Sequence, residues 1–516
     1  METVALLFQG FSNALSLENL LFALIGSILG TLVGVLPGIG PTAGIAMLIP
    51  ITGILPATPA IIMLAAIYYG AMYGGSTTSI LMNVPGEIAS VVTCIDGHSM
   101  AKQGRAAAAL AIAAIASFVA GTIGLVGLTF FSPLLADTAL KMGPPETFGL
   151  VIFAFSMVAS MAGESLLMGV TSAALGMMIC LVGNTSMGVA RFTFGSVKLT
   201  GGFNLIAVVM GLFAVNEVFK NIGEEIGSIS DVNLGAWWKM IRWREVKQSL
   251  GAIVRSTFLG FFLGCIPGFS PAAVSFVCYD AEKKVSKNRA NFGKGAIEGV
   301  AAPEGGNNSA TSGGFVPLLT LGIPPSVSLA VLLGGLMIYG LQPGPMLFEK
   351  QPAFVWTVIA SMYIGNVMLL ILNLPFVGLW AKMVRVPYHF IAPLILLFCF
   401  LGTYSVRNNF FDVGTCLAFG CIAVILEKLS IPVLPLVIGL ILTPMMEDSL
   451  CQTISMGGGS LGILWSRPIA LALIGAGTLT MIIIVYIRRR WSKAGLYLNP
   501  GEEKYRDNSP KEGKIQ

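Results

Sequence analysis

The chain has 516 residues, of which 55% are hydrophobic and only 11% are charged, and its mean hydropathy is +0.83. Soluble globular proteins carry about 25% charged residues, so this composition excludes that class and predicts an all-α polytopic membrane protein. The net charge of +5 is ordinary for a membrane protein and gives no indication of a nucleic-acid partner.

Apolar segments of about 20 residues, the length needed to cross a bilayer, follow one another along the chain. Several are interrupted or doubled, which predicts about 10–14 transmembrane and re-entrant helices. Residues 1–230 are predicted to form one membrane repeat and residues 249–490 a second. Between them, residues 231–248 mix tryptophans with basic residues, which is typical of an amphipathic helix at the membrane interface or of a helix that binds a partner. Residues 491–516 are polar and are predicted to form a disordered cytoplasmic tail.

Basic residues are concentrated in three groups, which the positive-inside rule places on the cytoplasmic side. The groups are Lys239–Lys247, Lys283–Lys294 and Arg488–Lys493. By contrast, no Lys or Arg precedes Lys102, which favours an N-terminus that faces out. Because the two repeats start from opposite flanking charges, they are predicted to be inverted relative to each other.

One Gly/Pro-rich interruption occurs twice, as Gly30–Thr42 and as Gly260–Ala272, with glycines and prolines at matching places. Proline and glycine break helices, and backbone groups freed in this way persist at membrane depth only around an enclosed or watery cavity. Freed carbonyl oxygens suit Na⁺, although a kink that serves helix packing explains the pattern almost as well. The candidate ion ligands in these breaks are Gly38, Gly40, Gly268 and Ser270.

A second polar, glycine-rich segment follows in each half, Gly74–Ser79 and Gly305–Gly314, and nearly the same register aligns Gly74 with Gly305. These segments are predicted to be broken-helix tips of two helical hairpins, entering from opposite faces and meeting near the midplane. Their neutral hydroxyl and amide donors suit a carboxylate substrate, whereas the alternative is that small residues permit tight helix packing. The candidate substrate-binding residues are Ser76, Thr77, Thr78, Ser79, Asn307, Asn308, Ser309 and Thr311.

Glu304 directly precedes the second Gly-Gly pair, and Tyr73 is its counterpart in that register. A carboxylate at membrane depth is costly, so Glu304 is predicted to neutralise a coupling cation or to carry a coupling proton. Asn83, in the second arm of the first predicted hairpin together with Glu87, is a further candidate for ion coupling. No cofactor is expected other than Na⁺ or H⁺ as the coupling ion.

Enzyme motifs are absent from the sequence. No GxxxxGK[ST] motif is present, so the chain does not itself use ATP, and no HExxH or GxSxG motif occurs. The protein is therefore predicted not to be an enzyme.

The stretches Gly34–Pro41, Tyr73–Glu87, Asp96–Ala106 and Ala302–Pro324 resemble the large membrane subunit of the tripartite tricarboxylate transporter family. The resemblance implies a multi-pass permease of the bacterial inner membrane that imports citrate-like tri- and dicarboxylates, driven by a cation gradient. It also implies two partners, a small four-span membrane subunit and a periplasmic solute-binding protein.

The family is similar to other carboxylate carriers built from inverted repeats with two hairpins, which operate as elevators. In the divalent-anion/sodium symporters the hairpin tips carry Ser-Asn-Thr. Here the corresponding residues are Ser76-Thr77-Thr78 and Asn307-Asn308-Ser309, which are similar in chemistry but not identical.

A cation/proton antiporter or channel is the alternative function, since it also requires broken helices. Such proteins normally show more paired intramembrane acids than Glu304 alone, and they do not need two hydroxyl- and amide-bearing tips. A membrane-embedded enzyme lacks its catalytic motifs here. A scaffold would not explain two costly polar segments.

Overall fold

The computed structural model describes residues 2–36, 39–158, 165–185, 188–221, 239–383 and 388–493. These residues are almost entirely helical. The one strand pair among them is short and antiparallel, joining β1 (Gly183–Asn184) to β2 (Ala190–Arg191). The all-α class predicted from composition is therefore confirmed.

Twelve helices precede residue 222 in the described part of the chain, with a 3₁₀ turn at Ile88–Ser90 and π-helical turns at Cys94–His98 and Gly211–Val215. The helices are α1 (Glu2–Ala14), α2 (Leu17–Val35), α3 (Gly40–Thr52), α4 (Ala57–Met82), α5 (Val91–Thr93), α6 (Ser99–Lys102), α7 (Ala106–Leu140), α8 (Pro144–Val158), α9 (Leu166–Cys180), α10 (Val197–Thr200), α11 (Leu205–Met210) and α12 (Asn216–Asn221).

The described part of the chain continues at residue 239, and from there it contains 3₁₀ turns at Arg289–Asn291 and Leu461–Ser466. The helices from there on are α13 (Trp243–Gly264), α14 (Pro271–Val285), α15 (Glu298–Leu321), α16 (Val327–Ile338), α17 (Pro345–Lys350), α18 (Pro352–Asn373), α19 (Val377–Met383), α20 (Tyr388–Arg407), α21 (Phe410–Lys428), α22 (Val433–Met456) and α23 (Pro468–Lys493).

Six of the described helices, α2, α4, α7, α18, α21 and α22, are long and apolar enough to cross a membrane. Five shorter apolar helices lie within α3, α9, α16, α20 and α23. Together they fall inside the predicted range of transmembrane and re-entrant helices, and they confirm a polytopic membrane protein.

Residues 231–238 of the predicted linker and 494–516 of the predicted tail lie outside the described residues. Residues Trp243–Gln248 of the predicted linker form the first turns of α13, where Trp243 is 69% exposed. An exposed indole at a helix start agrees with an interfacial position. The repeat boundaries themselves remain predictions.

Both Gly/Pro-rich segments interrupt the helices, as predicted. In the first half α2 ends at Val35 and α3 begins at Gly40, while Pro37 and Gly38 lie outside the described residues. In the second half α13 ends at Gly264 and α14 begins at Pro271. Proline is well tolerated at a helix start because its missing N–H has no intrahelical partner there.

The two polar Gly-rich segments, in contrast, are not breaks, and that prediction is wrong. Gly74–Ser79 lies inside the continuous helix α4, and Gly305–Gly314 lies inside α15. Every residue from Pro59 to Leu81 and from Glu298 to Thr320 is buried. Inside protein, glycine lets neighbouring helices approach closely, and the helical backbone satisfies its own hydrogen bonds.

Glycines occur where two helices pack closely against each other. A Cβ on Gly34 of α2 would lie 2.2 Å from the carbonyl oxygen of Ala71 in α4. In the second half, a Cβ on Gly264 of α13 would lie 2.5 Å from the carbonyl oxygen of Ala310 in α15. The pairs α2–α4 and α13–α15 are thus built alike, and Ala71 corresponds to Ala310.

Two further positions give the same register. Gly74 packs on the Thr31 carbonyl and Gly313 on the Phe261 carbonyl, at 2.3 and 2.4 Å from a would-be Cβ. The helices α4 and α15 then both end in left-handed residues, Asn83 and Gly322. Gly74 therefore matches Gly313, and the predicted alignment of Gly74 with Gly305 is wrong by about two helical turns.

Candidate functional site

The helices α4 and α15 cross at the centre of the molecule and run antiparallel. The ring centroids of Tyr68 and Phe315 lie 6.0 Å apart, and further along α4 the hydroxyl of Ser76 lies beside the carboxylate of Glu304. Because residue numbers rise along one helix while they fall along the other, the polar end of α4 meets the polar start of α15. The two polar segments thus form one site at one depth.

Four buried side chains define this site, which we call the carboxylate cluster: Ser76, Glu87, Glu304 and Asn307. Glu304 accepts a hydrogen bond from Thr93 Oγ1 at 2.5 Å through one oxygen, and a long one of 3.4 Å from Ser117 Oγ through the other. Its side chain is therefore held between α5, α7 and α15.

Glu87 is the member of the cluster that the sequence left outside the candidate residues. One of its oxygens caps the Ile88–Ser90 turn by accepting from the Ala89 N–H at 2.8 Å. The segment after α4 folds back, so a Cβ on Gly75 would lie 2.6 Å from the Glu87 side chain. Glu87 also lies beside the amide of Asn307, and it is close enough to Glu304 for the two carboxylates to repel each other.

Several polar atoms of the cluster have no hydrogen-bond partner although they are buried. They are Ser76 Oγ, Glu87 Oε1, and both Oδ1 and Nδ2 of Asn307. Within the described residues neither Glu87 nor Glu304 forms a salt bridge. Each unsatisfied buried polar group costs about 1–3 kcal/mol, so the cluster is suited to receive a polar ligand.

A small cavity of about 10 Å³ adjoins the cluster. Its polar lining is Tyr73, Ser76, Thr77, Ser117 and Asn373, and Leu110, Ala113 and Ala114 complete it. This is about the space that one water molecule occupies. A tricarboxylate does not fit, so the α4–α15 crossing is closed to substrate in this conformation.

The eight candidate substrate-binding residues divide into two groups. Five of them use their polar groups inside the protein: Thr78, Ser79, Asn308, Ser309 and Thr311. Thr78 and Ser79, for example, both donate to the Gly75 carbonyl. Ser76 and Thr77 line the small cavity, and Asn307 stands in the carboxylate cluster, so these three are placed to meet a ligand.

Among the candidate ion ligands, only Glu304 lies in this cluster in the described structure. Asn83 is exposed and ends α4 in a left-handed conformation, while the Ser270 hydroxyl caps α14 by accepting from the Ala273 N–H. The Gly268 N–H donates to the Pro325 carbonyl at 3.3 Å. Gly40 begins α3 with open space where a Cβ would stand, and Gly38 lies outside the described residues.

Asp96 fixes the approach to α15. One of its oxygens accepts three backbone N–H bonds, from Gly293, Gly295 and Ala296, at 2.8–2.9 Å, and the other accepts from Tyr279 Oη at 2.8 Å. A fully satisfied buried carboxylate of this kind is structural rather than available to a ligand. It ties the polar turn after the first repeat's Pro-Gly-Glu segment to the start of α15.

A basic cavity of about 430 Å³ opens beside this anchor. Four cations line it, Arg105, Arg242, Arg244 and Lys294, together with the acids Glu245 and Glu298. The lining unites two of the basic groups that the sequence places on the cytoplasmic side. The start of α15 is therefore expected to face the cytoplasm.

Comparisons with known proteins agree on one family. The family model described as "Tripartite tricarboxylate transporter TctA family" matches residues 20–438. A protein of Agrobacterium vitis, described as an uncharacterized 52.8 kDa protein in the TAR-I ttuC' 3' region, is 42% identical over 94% of this chain and 96% of its own length. An uncharacterized protein in the TAR-II ttuC' 3' region of the same organism is 42% identical over 43% of this chain and 93% of its own length. No solved structure matches.

Proposed function

This chain belongs to the tripartite tricarboxylate transporter TctA family, and we propose that it is the permease subunit that imports citrate-like tri- and dicarboxylates with a cation. It takes its substrate from a periplasmic solute-binding protein and works with a small four-span membrane subunit. The tripartite organisation of the family supports both partners and a location in the bacterial inner membrane.

The observation that carries this proposal is the crossing of α4 and α15. There, the neutral donors Ser76 and Thr77 line a closed cavity, and the unpartnered Ser76 hydroxyl and Asn307 amide are ready for carboxylate oxygens. Neutral donors bind an anion without a fixed charge that would hold it permanently. The positive charges of the basic cavity beside Asp96 attract the anion electrostatically toward the cytoplasmic side.

Because the cavity at this crossing holds no more than one water molecule, transport requires α4 and α15 to separate. We infer that the two halves are inverted repeats which alternate in opening the crossing to each side. The antiparallel directions of α4 and α15 and the matched packing of α2–α4 and α13–α15 support this arrangement.

The alternative, a cation/proton antiporter or channel, is favoured by one observation: Glu87 and Glu304 are two buried carboxylates without a basic partner in the described structure. Uptake measurements separate the two functions. The chain, reconstituted into liposomes with its small membrane subunit and its binding protein, should accumulate labelled citrate or dicarboxylates under a Na⁺ or H⁺ gradient. Cation flux without any carboxylate dependence would instead establish the antiporter or channel.

Alternating access is tested by the single substitutions Ser76→Cys and Asn307→Cys in a cysteine-free background. Because both side chains line one site, their labelling by an impermeant thiol reagent should rise and fall together, and substrate should protect both. Phe315→Cys, about 12–17 Å away along the helices, serves as the control and should not follow them. Independent labelling of the first two positions would contradict a shared site.

A further inference from the structure

We propose that Ser76, Glu87, Glu304 and Asn307 form a binding site for one dehydrated Na⁺ ion. The described candidate ion ligands of the Gly/Pro-rich breaks, Gly40, Gly268 and Ser270, lie outside this site. The ion binding stands on the geometry of the cluster alone. Its part in driving transport rests on the proposed function.

The ligand atoms are oxygens of the kind that alkali cations prefer. Glu87 Oε1, Asn307 Oδ1 and Ser76 Oγ are each buried and without a hydrogen-bond partner, at 6%, 1% and 4% residue exposure. Glu304 adds a carboxylate whose hydrogen-bond partners among the described residues are the hydroxyl donors Thr93 and Ser117, with Ser76 close by. Ser76 lies beside Glu304 and Asn307 lies beside Glu87, so three unsatisfied oxygens and a second carboxylate belong to one buried cluster.

The ionisable groups around the cluster also favour a bound cation. From α4 the neighbouring ionisable groups are Tyr73, which donates to Asn366, and Tyr68, which contacts Ser326. From the segment after α4 they are Cys94 and Asp96. From α14 it is Tyr279, which is bound to Asp96. No Lys or Arg of the described chain pairs with Glu87 or Glu304, so a cation must come from outside to balance them.

A proton would satisfy this site less completely than Na⁺. One proton shared by Glu87 and Glu304 carries the same charge as one Na⁺ but would leave Ser76 Oγ and Asn307 Oδ1 without partners. A monovalent metal ion engages all of these oxygens at once.

A divalent or transition metal fits less well. Mg²⁺ keeps several of its waters, and the adjoining cavity of about 10 Å³ has no room for them. The described residues also hold no group of three or more His, Cys, Asp or Glu side chains, which transition metals favour.

Such an ion explains how an anion is admitted beside two glutamates. Without the cation, the negative charges of Glu87 and Glu304 repel a carboxylate that approaches Ser76 and Thr77. With Na⁺ bound, that repulsion falls, and the ion and the anion stabilise each other. Substrate affinity should therefore depend on Na⁺, and Na⁺ affinity should depend on substrate to the same factor.

The test measures ion binding without any carboxylate. Purified protein is unfolded thermally in NaCl, KCl or choline chloride at equal ionic strength, and the midpoint is followed against ion concentration. A ligand that binds only the folded state raises this midpoint in a saturable way. We expect saturable stabilisation by Na⁺, and little or none by K⁺ or choline.

The variants Asn307→Ala and Ser76→Ala keep both carboxylates and remove one ligand each. They should raise the half-saturating Na⁺ concentration by roughly 10- to 100-fold, because each loses a contact to a charged group. Glu87→Gln and Glu304→Gln should abolish the Na⁺ response. The matched control is Glu146→Gln, which removes a buried carboxylate elsewhere that caps Gly143, and its Na⁺ response should remain that of the wild type.

The outcomes separate this inference from the proposed function. Stabilisation that follows pH but not Na⁺, or an Asn307→Ala response equal to that of the control, overturns the Na⁺ site, even where carboxylate uptake proceeds. A Na⁺ response that is lost in the cluster variants confirms the site, even if reconstituted protein carries no carboxylate. In that second case the permease proposal fails and the ion site stands.

Discussion

The two ends of the α4–α15 contact follow one plan but carry different side chains. In the register that matches Gly74 with Gly313, each member of the carboxylate cluster has a counterpart at the other end of the crossing. Ser326 even has the same structural role as Glu87, since both cap the helical turn that follows a Pro-containing segment. The full set of counterparts is Asn307 with Tyr68, Ser76 with Phe315, Glu87 with Ser326, and Glu304 with Ala65.

The contacts are repeated as well. The Glu87–Asn307 proximity has its counterpart in the 3.4 Å contact between Ser326 Oγ and Tyr68 Oη. Asn307 and Ser76 correspond to Tyr68 and Phe315, whose rings pack against each other. A duplicated scaffold thus presents charge at one end and aromatic surface at the other. The helix packing is therefore repeated at both ends of the α4–α15 contact, whereas the buried carboxylates occur at one end.

The packing register behind this comparison gives the prediction with the largest effect. Gly74→Ala and Gly313→Ala should each destabilise the protein by about 3 kcal/mol, the upper part of the range for overpacking, because the new Cβ meets a backbone carbonyl. The change is measured as a lowered thermal midpoint of the purified protein.

The matched control is Gly305→Ala, whose Cβ would meet the Ser256 hydroxyl at 2.7 Å, a side chain that can rotate away. Its effect should be clearly smaller. If Gly305→Ala matched Gly74→Ala while Gly313→Ala was mild, the alignment of Gly74 with Gly305 would be right and the comparison above would collapse.

The sequence alone predicts much of the scaffold. The repeated Gly34, Pro37 and Pro41 pattern locates both helix interruptions because proline excludes a continuous helix wherever it stands. Hydropathy predicts the all-α membrane fold for an equally local reason. Glu304 is found because a carboxylate within an apolar, Gly-rich stretch is conspicuous.

The register and the second carboxylate are not local properties. Gly pairs occur twice in α15, at Gly305–Gly306 and Gly313–Gly314, and helix contacts such as that of Gly313 with Phe261 select between them. Glu87 follows Pro85 in a segment whose sequence predicts a turn. It reaches the site only because the chain folds back on Gly75.

The second prediction compares the polar end with its aromatic counterpart. Asn307→Ala should weaken uptake at limiting cation by roughly 10- to 100-fold, as expected for a lost bond to a charged ligand. Tyr68→Phe, which removes only the hydroxyl that touches Ser326, should leave the cation dependence of uptake near that of the wild type. Initial rates of labelled substrate uptake at several cation concentrations provide the measurement. Equal shifts in both variants would mean that both ends bind the ion.

The smallest expected effect separates Asn308 from its neighbour Asn307. The Asn308 amide donates to Ser117 Oγ at 2.8 Å and to the Glu304 carbonyl at 3.2 Å, so it positions Ser117 rather than facing the open oxygens. Asn308→Ala should therefore cost about 1 kcal/mol, which is roughly a 5-fold loss of apparent cation affinity. Ser117→Ala should produce a loss of similar size.

Because both changes break one hydrogen bond, the double variant should be little worse than either single variant. The same uptake assay, run on the two single variants and the double variant, measures this coupling. Additive losses would show that Asn308 meets the ligand directly and that the cluster extends one residue further along α15. The same conclusion would follow if Asn308→Ala lost as much apparent cation affinity as Asn307→Ala while Ser117→Ala kept the wild-type affinity. It would add Asn308 to the proposed ion contacts of Glu304 and Asn307.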